Sequence, residues 1–195
     1  MSDPLYLSLW FPQFSPRDMM SRAASVLRQF PFSAEQPGVT YVAIHPVSWS
    51  EPTVLERRFR PGLDPEQATA IASEFTHEDY AFVFETHWDL WVPEENKLIL
   101  SPERAKFIVH GTEFGDGAYQ QAGHIQVDLG LDTPFLFETP EEDEGAEARI
   151  RVNVQKLVGF TQAVEKNCGI TGRVLWSESD ENLAQKLIAR VQKVH

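Results

Sequence analysis

Apolar positions along this chain switch repeatedly between two spacings. Every second residue predicts strand; every third and fourth predicts helix. Leu5 to Phe11 reads as a strand rich in aliphatic and aromatic side chains. Ser15-Pro16-Arg17-Asp18 then has helix-start chemistry, with Ser15 as cap and Pro16 suited to the first helical turn. Met20, Ala23, Ala24 and Leu27 follow on one helical face, and Pro31 stops that helix. Val39 to Val47 and Thr53 to Phe59 read as strands broken by Ser50-Glu51-Pro52. Asp64-Pro65-Glu66-Gln67 repeats the helix-start pattern ahead of Ala68, Ile71, Ala72 and Phe75, and Tyr80 to Val92 reads as one long strand.

The second half is less regular. Pro93-Glu94-Glu95-Asn96 predicts a hairpin turn into Lys97 to Leu100. Ala105 to Phe114 and Gly123 to Leu131 read as strands joined through Gly115-Asp116-Gly117. Residues 147–153 fit either period, with helix preferred from Asn153 to the stop at Gly169. Ile170 to Trp176 is a strand. Ser179 or Asp180 caps a last helix, with Leu183, Leu187, Ile188 and Val191 facing inward.

These elements predict an α+β fold, an antiparallel-rich sheet with helices packed on one face. Residues 1–92 read β-α-β-β-α-β, the ferredoxin-like order of elements, which carries no functional weight. Residues 93–195 read β-β-α-β-α after their hairpin, consistent in element order with a degenerate repeat of the first half. No residue-level repeat accompanies it, and the chain is read as a single domain of 195 residues.

Composition narrows the partners. Seventeen Lys and Arg against 29 Asp and Glu leave a net charge of −12. Nucleic acid and anionic membranes are therefore not expected partners. A protein partner, a small molecule or a second copy of the chain remain. Cys168 is the single cysteine, so no intrachain disulfide can form and a reducing, cytoplasmic setting is expected. Cys168 itself reads as a small buried residue. Met1-Ser2-Asp3-Pro4 offers neither basic nor apolar leader chemistry, so no signal peptide is expected.

Three polar clusters could carry chemistry. On the long strand, Glu85, His87 and Asp89 alternate onto one face, where a carboxylate beside an imidazole suits acid/base work. The plainer reading is a solvated outer sheet face. His110, Glu113, His124 and Asp128 fall on two strands that can pair, a candidate metal set only if those strands adjoin the first cluster. Glu141 to Glu144 lacks the spacing of a calcium loop and reads as a solvated acidic loop. His45 and His77 have no sequence partner and read as structural. Trp49, Trp88, Trp91 and Trp176 lie near strand ends and would either join the core or line a ligand pocket. No phosphate-loop, dinucleotide, nucleophile-elbow or His-Glu-x-x-His signature is present, and neither cofactor nor metal is expected. A non-catalytic binding or interaction domain is the leading expectation. An enzyme using the His and carboxylate face is the alternative.

Overall fold

The long strand foreseen near residue 80 is the axis of the molecule, and its two sides set everything else. In this computed structural model, which describes residues 2–138, 144–178 and 183–192, it is β4 (Tyr80–Glu94). Side chains on a strand alternate, so Phe82, Phe84, Trp88 and Leu90 all enter one buried layer.

In chain order the elements are β1 (Pro4–Trp10), α1 (Met19–Arg28), β2 (Val39–Pro46), β3 (Leu55–Leu63), α2 (Pro65–Ser73) and β4. There follow β5 (Lys97–His110), a 3-10 turn (Phe114–Asp116), α3 (Tyr119–Ala122), β6 (Ile125–Leu131) and α4 (Thr133–Leu136). The chain continues with α5 (Glu144–Asn167), β7 (Gly172–Ser177) and α6 (Leu183–Gln192). The first half thus has the predicted β-α-β-β-α-β order. All strands join one seven-stranded antiparallel sheet in the order β3-β2-β4-β5-β6-β1-β7. Strand β1 does not pair within its own half; it lies between β6 and β7. The sheet therefore stitches the two halves together through both the β4–β5 hairpin and the return of β1.

Helices cover one face. Met19, Ala23 and Leu27 of α1, Ala68 and Ala72 of α2, and Val154, Leu157 and Phe160 of α5 close over the apolar side of the sheet. Phe30, just past α1, is the hub. Its ring lies 5.1 Å from Trp88, 5.2 Å from Phe107 and 5.3 Å from Phe160. Helix α5 also grips the end of β4 through a residue that periodicity does not flag. Asn153 is fully buried. Its side-chain oxygen accepts from the Trp91 amide at 2.9 Å, and its amide nitrogen donates to the Trp91 and Pro134 carbonyls at 2.7 Å each. Strand backbone that leaves the ladder must find such partners.

Local expectations divide instructively. Asp64 and Gln67 form the reciprocal capping box, each side chain taking the other's amide. Ser15 does not cap as expected: its hydroxyl donates to the Asp18 carboxylate, and regular helix begins only at Met19. Residues 97–110 form one strand where two were expected, and the ambiguous residues 147–153 are helix. Ile188 faces solvent while Leu183 and Leu187 pack inward. The acidic residues 141–143, the predicted caps Ser179 and Asp180, and His195 lie outside the described residues.

Candidate functional site

Antiparallel partners share a face, so the register itself lays out the side that the helices leave bare. Arg58, Tyr41, Glu85, Lys106, Asp128, Tyr6 and Trp176 stand in one row, one residue from each of the seven strands. Acidic and basic groups alternate through its middle. At the β3–β4 side of this row lies a cleft of about 520 Å³.

Two of the three residues predicted on β4 line it. Glu85 is only 8 % exposed, set back in the floor. His87 stands beside it, opposite Arg104 on β5. Burial lowers the pKa of His87, with Glu85 pulling the other way, so the ring is neutral at pH 7. Its Nδ1 is buried and has no hydrogen-bond partner among the described residues.

Asp89 does not face the cleft. Its carboxylate accepts from the Ser33 hydroxyl at 2.6 Å and from the Ala34 amide at 3.1 Å. The Ser33 amide donates to the His87 carbonyl at 2.7 Å, and the Ser33 hydroxyl accepts from the amides of Glu35 and Gln36 at 3.2 Å each. Asp89 thereby pins the turn that carries Glu35, Gln36 and Pro37, which is one wall of the cleft. Arg58 to Gly62 of β3 form the facing wall. The two walls meet where only glycine fits. A Cβ on Gly62 would lie 2.3 Å from the Pro37 carbonyl oxygen, and Gly38 has a φ of +78°.

The residues that sequence reading missed are the arginines. Arg58, Arg60 and Arg104 rim the cleft against two carboxylates, Glu35 and Glu85, in a chain whose net charge is −12. Arg104 Nη1 approaches Glu85 Oε1 to 3.6 Å and Arg58 Nη1 approaches Oε2 to 4.0 Å. Both separations exceed a hydrogen bond, and the Glu85 carboxylate accepts none among the described residues. The Arg58 guanidinium rests 4.9 Å above the Tyr41 ring, which orients it. Tyr41 in turn donates to Glu56 at 2.8 Å, and burial with this bond raises its pKa to about 12. Arg60 has no ion pair or hydrogen bond among the described residues. A signal was available. Arg57, Arg58 and Arg60 crowd into four positions of a strongly acidic chain.

The second predicted cluster assembles only in part. His110 and His124 are neighbours, the His110 amide donating to the His124 carbonyl at 2.8 Å. Both are buried rather than set on an open sheet face. His110 Nδ1 is 3.0 Å from the Gly123 carbonyl, which requires a proton on that nitrogen. His124 Nδ1 instead accepts the Phe11 amide at 2.9 Å, so its proton sits on Nε2. The His124 ring is stacked between Phe14 at 4.4 Å and Tyr119 at 4.8 Å. Burial drives both pKa values down to about 4. Asp128 stands further along β6, accepting from the Gly130 amide at 3.0 Å. Among the described residues, no three His, Cys, Asp or Glu side chains gather as a metal site.

The four tryptophans singled out from the sequence, Trp49, Trp88, Trp91 and Trp176, occupy four different places, and none lines the cleft. Trp88 is core, fully buried, with an indole N–H that has no partner among the described residues. Trp91 packs under Arg149, 4.9 Å from its ring. Trp176 lies 4.7 Å from Tyr6 and donates to the Ser8 hydroxyl at 3.0 Å. Trp49 is half exposed on the β2–β3 loop, its ring against His45, His110 and Phe114.

No family model matches the chain, and neither a curated protein nor a solved structure is significantly similar to it. Among the described residues no helix is long and apolar enough to cross a membrane.

Proposed function

We propose that this protein is a non-catalytic binding domain whose ligand is a small molecule carrying an anionic group, held in the cleft between β3 and β4. One observation carries the reading: three arginines converge on a cleft of about 520 Å³ in a protein of net charge −12. Arginine presents a planar fork of donors matched to carboxylate and phosphate oxygens. A cavity of this size suits a small ligand rather than a macromolecular surface. The engagement of Asp89 with Ser33 supports binding over acid/base chemistry, because it leaves Glu85 and His87 without the third polar member of their strand.

The test is thermal denaturation of the full chain with three sets of probes: α-amino acids, dicarboxylates and sugar phosphates. Saturable stabilisation by at least one set is expected, and its loss in Arg104→Ala. A ligand at a hundred times its Kd adds roughly 2.7 kcal/mol to stability. If no set raises the midpoint at millimolar concentration, the reading fails.

A further inference from the structure

The geometry points to a zwitterion: the cleft takes the ammonium and carboxylate of a free α-amino acid with an apolar side chain. This deepens the binding reading above and rests on it. A cleft built for an anion alone has no use for a recessed carboxylate. Yet Glu85 sits in the floor, 8 % exposed, between the very guanidinium groups that an anion would need. A tight ion pair would close to hydrogen-bond distance. Here Arg104 and Arg58 stand off at 3.6 and 4.0 Å, and the lone pairs of Glu85 accept nothing among the described residues. The site is thus a negative floor and a positive rim in loose ion pairs, with the hydrogen-bonding capacity of the Glu85 carboxylate left over.

An α-amino acid has the complementary arrangement. Its ammonium and carboxylate are joined through one carbon, so opposite charges lie about one hydrogen-bond length apart. The ammonium has three donors for the carboxylate of Glu85, with the neutral His87 ring beside it in the cleft lining. The carboxylate accepts from Arg104 and Arg58, with Arg60 uncommitted at the rim. Each charge of the ligand would satisfy an opposite charge of the cleft without first breaking a hydrogen bond. Pro37, Phe59 and Pro61 border the remaining space, which argues for an apolar side chain over a charged one.

Titration calorimetry on the full chain at pH 7.5 tests this with L-leucine, N-acetyl-L-leucine and L-leucinamide. The acetyl group removes the cation and the amide removes the anion, while the side chain is unchanged. L-leucine is expected to bind at least tenfold tighter than either derivative. In Glu85→Gln the preference over N-acetyl-L-leucine is expected to collapse. In Arg104→Ala, whose site is exposed and whose folding is not in question, the preference over L-leucinamide is expected to collapse. N-acetyl-L-leucine binding as tightly as L-leucine would overturn the zwitterion and leave an anion cleft standing. Failure of all three probes overturns it too. Stabilisation by dicarboxylates or sugar phosphates then separates a wrong ligand class from the absence of a binding site.

Discussion

Trp88 and Glu85 lie three residues apart on β4, one under the helices and the other on the face they leave bare. Both are more than nine-tenths buried. Trp88 is buried by apolar neighbours that fill the space around it, chiefly Phe30 and Phe135. Glu85 is buried by the depth of a cleft and by charged groups that do not touch it at bonding distance. Burial alone therefore does not distinguish core from site. The difference lies in whether the surrounding groups have completed their interactions. Around Trp88 the gain is dispersion and water exclusion, which neighbouring rings supply without any charge. On the bare face, charges remain that a ligand could satisfy.

Three measurements put this contrast to the test. The largest effect belongs to the covered face. Trp88→Ala should cost about 3 to 5 kcal/mol in urea unfolding. Trp88→Phe should cost much less, because the indole N–H has no partner among the described residues to lose. Equal losses from the two variants would show that the site demands the full indole and not merely an aromatic ring.

The next effect comes from the buried histidines, where a polar group is treated as core. Folded His110 takes a proton only near pH 4, whereas the unfolded residue does so near 6.5. Between those values the unfolded chain binds more protons, so stability is full above about pH 6.5 and falls as pH drops. At about 1.4 kcal/mol per unit, His110 alone removes roughly 2 kcal/mol by pH 5. His124 acts in the same direction, because protonating Nδ1 also breaks its bond to the Phe11 amide. Urea midpoints measured from pH 7.5 to 5 check this. A flat profile would mean that the two rings are open to water in solution.

The smallest effect on stability belongs to the cleft. Arg58→Ala and Arg104→Ala should each change unfolding free energy by less than about 1 kcal/mol, since both guanidinium side chains are mostly exposed and neither closes to a hydrogen bond on the buried Glu85. A loss of 2 kcal/mol or more from either would make the arginines structural and remove the contrast. Glu85→Gln should likewise leave the fold intact.

What the chain disclosed before folding follows from local physics. The alternation through Phe82, Phe84, Trp88 and Leu90 is legible because a strand repeats every two residues, and Asp64 and Gln67 form their capping box within a single turn. Glu85 and His87 share a face for the same reason. Ser15 looked equally promising and failed, because Asp18 lies within reach of its hydroxyl and competes for it. His110 and His124 were legible as neighbours across a turn but not as buried groups, because much of their cover comes from Phe14 and Trp49 in distant parts of the chain.

The candidate site was half visible. Glu85 and His87 could be named from β4 alone, but Arg58, Arg60 and Arg104 reach them only because β2 and β5 flank β4 and β3 pairs with β2. Sequence order by itself dictated which residues share a face of each strand. The pairing of strands decided which faces meet, and the turn pinned by Asp89 decided that a flat row of charges has a wall on one side. A periodic pattern acts over a few residues, whereas a cleft is made by segments tens of residues apart, and only the folded chain brings those together.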